Sequence, residues 1–66
     1  MVITINGQEL AFNQELSITD FLDTKGIKQD AVVVELNQEI IPSEQYHTTW
    51  LSHKDRLEIL RFVGGG

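Results

Sequence analysis

The stretch that decides the fold is VITI-NG-QELAF, residues 2–12. Its two alternating segments flank Asn6-Gly7, and both of these residues tolerate the positive φ of a type I′ turn. Successive side chains of a strand point to opposite faces, so each segment has one apolar face. The residues on these faces are Ile3, Ile5, Leu10 and Phe12. The sequence therefore predicts a β-hairpin that supplies half of a hydrophobic core.

A short helix is expected after the hairpin. Ser17 can cap its first turn, and Asp20 three residues later completes a capping box near the positive helix end. The apolar stripe at i, i+3 and i+4 consists of Ile18, Phe21 and Leu22. Gly26 can take the left-handed conformation that ends a helix. Since about two turns of helix are unstable alone in water, we expect this helix to pack on the hairpin.

Two strands are predicted in the middle of the chain. The run AVVVEL, residues 31–36, is rich in β-branched side chains and almost continuously apolar. This is typical of a strand that is covered on both faces or lies inside a sheet. Asn37-Gln38 then predicts a turn into a short strand at residues 39–41, which Pro42 ends.

The last third of the chain completes the predicted fold. Residues 43–52 are expected to be irregular, with Tyr46 and Trp50 as apolar anchors, and the final strand is expected at residues 56–63. Two strands, one helix and about three more strands indicate an α+β protein. In so short a chain, this order matches the β-grasp (ubiquitin-like) roll, in which a mixed sheet of about five strands packs on one helix.

Composition excludes several classes of protein. Sixty-six residues make one small domain, and the absence of cysteine removes disulfides, thiolate metal sites and a persulfide carrier. The net charge of −5 has the wrong sign for binding nucleic acid or an anionic membrane surface. No apolar run is long enough to span a bilayer, and the chain begins in a strand pattern rather than a signal peptide. We therefore expect a soluble, cytoplasmic domain with no nucleic-acid or membrane partner.

The body of the chain lacks catalytic and metal-binding motifs. No glycine-rich loop joins a strand to a helix, and two histidines without cysteine indicate no nucleophilic set. His47 and His53 lie six residues apart, a spacing that neither a helix nor a strand turns into a chelate, and are expected at the surface or in turns. The carboxylates are scattered singly, as on a solvated acidic face. These observations predict a protein that is not an enzyme and has no catalytic residue or metal ligand.

The glycine tail is the first candidate functional feature. Gly64, Gly65 and Gly66 follow the last strand, and packing cannot explain them because they bury nothing and are entropically costly to order. One interpretation is a frayed end or a cloning remnant. The other divides the chain into a domain at residues 1–63 and a flexible tail at residues 64–66. The three glycines would reach about 10 Å when extended, so that Gly64 and Gly65 pass through a narrow channel of a partner and present the Gly66 carboxylate for activation.

The last strand is the second candidate functional feature. Leu57 and Ile59 share one face and are expected in the core, whereas Glu58, Leu60 and Phe62 share the other. Two large apolar side chains on a face that should be wet predict a partner-binding patch at Leu60 and Phe62. The alternative is a central strand that is covered on both faces.

Three stretches together resemble the thiamine-biosynthesis sulfur carrier family (ThiS). They are VELNQEIIP at residues 34–42, DRLEILRFV at residues 55–63 and the glycines at residues 64–66. The opening strand with Asn6-Gly7 also fits, so the resemblance covers essentially the whole chain. One departure is the turn at residues 53–55, which reads His-Lys-Asp where the family usually has Asp-Gly-Asp.

The resemblance implies a carrier on which other enzymes act. A ThiF-like adenylyltransferase would use ATP and magnesium to adenylate Gly66, and a sulfur donor such as a cysteine desulfurase would lead to a thiocarboxylate. A ThiG-like thiazole synthase would then take the sulfur for the thiazole ring of thiamine. The carrier would itself bind no cofactor, and we expect it to be a monomer when free. Two alternatives stay open: a sulfur carrier for molybdopterin synthesis or tRNA thiolation, and a non-covalent ubiquitin-like interaction module.

Overall fold

A five-stranded mixed sheet with one α-helix forms the part of the chain that the structure describes. This computed structural model describes residues 1–62. The strands are β1 (Val2–Ile5), β2 (Gln8–Ala11), β3 (Val32–Leu36), β4 (Glu39–Ile41) and β5 (Arg56–Arg61), the helix is α1 (Ile18–Thr24), and 3₁₀ helices span Gln29–Ala31 and Ser43–Thr48. The sheet order is β2-β1-β5-β3-β4, in which β1 and β5 are parallel and the other neighbours antiparallel. The predicted α+β, β-grasp architecture is confirmed.

Both hairpins turn through two residues with positive φ. Asn6 and Gly7 have φ of 49° and 82°, so the predicted type of turn between β1 and β2 is confirmed. Asn37 and Gln38 join β3 to β4 with φ of 52° and 72°. Glutamine lacks the short polar side chain with which asparagine stabilises the left-handed backbone region, so the second turn is the more strained of the two.

Helix α1 is fixed at both ends by bonds between residues close in sequence. The Ser17 hydroxyl accepts a hydrogen bond from the Asp20 amide at 3.0 Å, and the Asp20 carboxylate accepts one from the Ser17 amide at 3.1 Å. At the other end Gly26 has a φ of +67°, and the Ile27 amide donates to the Leu22 carbonyl at 2.9 Å. This is the Schellman arrangement that a C′ glycine favours. The predicted capping box and glycine stop are confirmed.

The core lies between α1 and one face of the sheet, and it corrects one predicted anchor. The buried apolar residues are Ile3, Ile5, Leu16, Ile18, Phe21, Leu22, Val32, Val34, Tyr46, Leu51, Leu57 and Ile59. Tyr46 is a core residue as predicted, on a 3₁₀ helix in a segment expected to be irregular. The prediction for Trp50 is wrong, because its side chain is 56% exposed. Trp50 forms a bridge with Ser17, and the alternation of this extended segment turns the next residue, Leu51, into the core instead.

The structure also decides where the apolar β3 run lies. Strand β3 sits inside the sheet between β5 and β4, with Val32 and Val34 toward the core and Val33 half-buried on the opposite face. It begins one residue later than predicted because Ala31 closes a 3₁₀ helix. The predicted boundary between the domain and the tail, at residues 63 and 64, lies outside the described residues. None of the helices within residues 1–62 has the length and apolar character needed to cross a membrane.

Candidate functional site

Strand β5, the last strand before the tail, is paired on both sides. Strand β5 pairs with β1 on one side and with β3 on the other. Its inward side chains Leu57 and Ile59 are buried, as predicted. The chain therefore reaches its C-terminal end from the centre of the fold rather than from an edge.

An asparagine side chain extends this anchoring beyond the end of β1. The Ile59 amide donates to Asn6 Oδ1 at 2.7 Å, and Asn6 Nδ2 donates to the Ile59 carbonyl at 3.2 Å. The Asn6 amide also donates to the Leu57 carbonyl at 2.9 Å. The side-chain amide thus replaces the next backbone unit that β1 no longer supplies. The sequence analysis missed this role, since it assigned Asn6 only to the turn.

A second polar cluster holds the start of β5. Asn37 Nδ2 donates to Asp55 Oδ1 at 3.0 Å, and Asn37 Oδ1 accepts from the Arg56 amide at 2.9 Å. Asp55 Oδ2 accepts from the Ser52 amide at 2.7 Å. Lys54, at the position where ThiS proteins usually have glycine, has a φ of 74°. Lys54 therefore has a left-handed backbone conformation that is strained for a residue with a side chain.

Neither histidine forms part of a metal site in the described structure. His53 Nδ1 accepts a hydrogen bond from the Val2 amide at 2.9 Å, and His47 is exposed. Among residues 1–62, no three side chains of the metal-ligating types lie together. His53 thus fixes the 53–55 turn against the first strand.

The sheet face opposite α1, here called the outer face, carries exposed apolar side chains. Leu60 is 54% exposed and Phe62 is 63% exposed, so the alternative that β5 is covered on both faces is wrong. Strand β5 is central, but no described residue covers its outer side. Pairing places Val33 opposite Leu60, and Ile40 on the same face opposite Glu35. We call Val33, Ile40, Leu60 and Phe62 the outer patch.

Alternation in the sequence identified two members of the outer patch, Leu60 and Phe62, and missed the other two, Val33 and Ile40. Ile40 is 65% exposed, more than either Leu60 or Phe62. Residues 39–41 predict a strand, but a strand of this length is too short for alternation to show which of its faces is exposed to solvent. That Leu60 and Phe62 bind a partner stays a prediction.

The backbone is held up to the last described residue. The Phe62 amide donates to the Ala31 carbonyl at 3.0 Å, which continues the pairing toward β3 beyond the end of β5. The predicted threading residues Gly64 and Gly65, and the predicted modification site Gly66, lie outside the described residues. Their roles stay predictions.

Comparison with known proteins identifies the family. The model of the ThiS family matches residues 2–66. The chain belongs to the ThiS family. The resemblance inferred from residues 34–42, 55–63 and 64–66 is thereby confirmed.

Individual ThiS relatives match the chain from end to end. The sulfur carrier protein ThiS of Bacillus subtilis is 36% identical over 66 residues, which cover 98% of this chain and 100% of the relative. The crystal structure of the thiamine biosynthesis protein ThiS of Geobacter metallireducens superposes with a TM-score of 0.85 at 33% identity, with both chains fully covered. A thiazole synthase of Paramagnetospirillum magneticum is 36% identical over 66 residues, but the chain spans only 20% of that protein.

Proposed function

We propose that this chain is the sulfur carrier for thiazole formation in thiamine biosynthesis. The observation that carries the proposal is the end-to-end match to a sulfur carrier protein ThiS, at 36% identity over the full length of that relative. A match over the tail as well as the domain supports a function that uses both.

The reacting group in this proposal is the carboxylate of Gly66. An ionised carboxylate is a poor electrophile, so a ThiF-like adenylyltransferase activates it with ATP and magnesium. A persulfide of a sulfur donor such as a cysteine desulfurase then displaces AMP to form an acyl disulfide, and a thiol reductant cleaves its S–S bond to leave the thiocarboxylate on Gly66. Gly64 and Gly65 lack Cβ atoms, which lets the tail extend through a narrow channel to the active site of the partner.

The carrier leaves catalysis to its partners and contributes a rigid base for the tail. Asn37 Oδ1 accepts a hydrogen bond from the Arg56 amide and Asn6 Oδ1 accepts one from the Ile59 amide, so β5 is held on both sides of its buried Leu57. A rigid base keeps the attached tail within a small volume, which lowers the entropy lost when it enters a partner. The absence of cysteine fits this chemistry, because a nearby thiolate could attack the activated carboxyl group.

The outer patch is the proposed docking surface for the adenylyltransferase. Leu60 and Phe62 lie directly before the tail and expose more than half of each side chain. Covering large apolar side chains is the main favourable contribution to protein association.

The second proposed partner is a ThiG-like thiazole synthase. A protein named thiazole synthase that contains a stretch homologous to this whole chain supports that partnership. We place this chemistry in the cytoplasm, and expect the free carrier to be a monomer.

Intact mass spectrometry tests the proposal. The 66-residue chain is incubated with a ThiF-type adenylyltransferase, ATP, magnesium and a sulfur source, with a reaction lacking ATP as the control. The expected product is heavier by the mass of sulfur minus that of oxygen. An unchanged mass with enzymes that are active on another ThiS carrier would refute the proposal and favour a non-covalent module. Transfer of the sulfur to molybdopterin or tRNA, but not to thiazole, would assign the carrier to another pathway.

A further inference from the structure

Two glutamates face each other on the outer face of the sheet. Glu35 of β3 and Glu58 of β5 are direct cross-strand partners in the antiparallel pairing. Glu58 is exposed and Glu35 is half-buried. Like charges directly opposite each other destabilise a sheet. The free carrier therefore keeps a local arrangement that works against its own stability.

The described structure supplies no partner for either carboxylate. Within residues 1–62, no hydrogen bond or ion pair involves the side-chain carboxylate of Glu35 or of Glu58. Arg56 lines the same open depression, together with the two glutamates and with the Asn37-Gln38 turn. This depression has a volume of about 460 Å³, and the Arg56 guanidinium lies more than 4 Å from both carboxylates. One guanidinium set beside two carboxylates also leaves the depression with a net negative charge.

The glutamate pair is contiguous with the outer patch. Glu35 lies opposite Ile40 in the pairing of β3 with β4, and Glu58 precedes Leu60 by two residues on the same face of β5. A surface that covers Ile40 and Leu60 together therefore borders both carboxylates, since Glu35 adjoins Ile40 and Glu58 adjoins Leu60. Removing water from an unpaired carboxylate is strongly unfavourable unless a positive group replaces the water.

We infer that the protein that docks on the outer patch places a lysine or arginine side chain between Glu35 and Glu58. This inference rests on the proposed function and specifies the surface of the adenylyltransferase that binds the carrier. The basic group neutralises both carboxylates while its apolar surroundings cover Ile40, Leu60 and Phe62. An arginine fits such a site well, since its planar guanidinium can bond to two carboxylates at once.

Charge also distinguishes this partner from a second copy of the chain. Each copy has a net charge of −5, so association through the acidic outer face would bring like charges together. A basic partner would instead be attracted before contact, which raises the association rate at low salt.

Replacing both glutamates is expected to affect stability and binding in opposite directions. In the free carrier, Glu35→Gln with Glu58→Gln removes the repulsion, so the melting temperature is expected to stay equal or rise. Binding to the adenylyltransferase is expected to weaken about tenfold or more, because the basic side chain loses its charged partners. A change that merely damaged the fold would lower both.

Titration calorimetry on the full 66-residue chain and a ThiF-type adenylyltransferase from the same organism provides the test. The variants are Glu35→Gln, Glu58→Gln and their combination, each measured at low and at high salt. Glu15→Gln is the matched control, since it removes the same charge from an exposed residue away from the outer face. We expect the control to bind like the parent, and the double variant to bind more weakly and with less dependence on salt.

Four results would overturn the inference. Binding of the double variant equal to that of Glu15→Gln would overturn the inference, and the sulfur transfer measured by mass would still stand. Weaker binding together with a lower melting temperature would assign the loss to the fold and also overturn it. A dimer of the free chain that is seated on this face, detected by sedimentation, would replace the basic partner with a second copy. No mass gain by the parent would refute the proposed function, and the inference with it.

Discussion

Truncation of the outer patch should separate binding from stability. Leu60→Ala with Phe62→Ala removes two side chains that are 54% and 63% exposed in the free carrier. Full burial of such a side chain contributes about 1.5–3 kcal/mol, so the fraction that folding covers amounts to about 1 kcal/mol for each. The expected loss in the free energy of unfolding is therefore about 1–2 kcal/mol, whereas activation by the adenylyltransferase should fall at least tenfold.

Leu57→Ala is the matched control on the same strand. Leu57 is 0% exposed, and truncation of a fully buried leucine costs about 2–5 kcal/mol. This single change should therefore destabilise the domain more than the double change on the opposite face. Urea unfolding followed by the fluorescence of Trp50 measures the free energies, and the rate of pyrophosphate release measures adenylation. The reasoning is refuted if the double variant loses more stability than Leu57→Ala, or if it is adenylated at the parent rate.

Three further changes test the tail, a strained turn and a buried phenol. Gly65→Val should block adenylation while the melting temperature stays at the parent value. The added side chain would obstruct entry of the tail into the channel of the partner, and it disfavours backbone conformations that glycine adopts freely. An adenylation rate equal to that of the parent would contradict this prediction. Lys54→Gly should raise the free energy of unfolding by about 1 kcal/mol, because Lys54 has a φ of 74°. The same exchange at Lys28, which has a φ of −78°, should lower the free energy of unfolding. Equal effects at both positions would show that the turn is unstrained. Burial raises the pKa of Tyr46 above 10.0, so the folded state keeps the phenol proton at pH values where the unfolded chain has lost it. Stability should therefore fall as the pH rises above 10, and Tyr46→Phe should reduce this fall; thermal melting across this range, with tyrosinate absorption of the single tyrosine, is the measurement.

The turn at residues 53–55 combines a hydrogen-bonded acidic residue with a lysine in a strained backbone conformation. Asp55 still bonds to Asn37 and to the Ser52 amide, so the acidic residue keeps a structural role. The central lysine takes the left-handed conformation that glycine would take without strain. This turn is consequently a place where the carrier can be stabilised without changing a residue of the outer patch.

The sequence by itself determined the features that depend on residues close together in the chain. The Asn6-Gly7 turn, the Ser17 cap and the Gly26 stop each involve bonds within about five residues, and all three agree with the structure. Local conformational preferences suffice for such features, because no distant partner is needed to satisfy the backbone groups. Only part of the candidate site could be predicted from local sequence. Gly66 was proposed from the glycine tail, and Leu60 from the alternation of apolar and polar residues in the last strand.

Only the tertiary structure decided which faces are covered and which distant groups meet. Alternation divides β5 into two faces, but only the placement of α1 on the other side of the sheet leaves Leu60 and Ile40 exposed. The bridge with Ser17 places Trp50 on the exposed side of its segment, although a large aromatic residue favours burial. The bond from Asn6 to Ile59 joins residues 53 positions apart, and the opposition of Glu35 and Glu58 depends on strand register. Register and covering depend on the packing of the whole domain, so they are properties of the assembled fold rather than of any one segment.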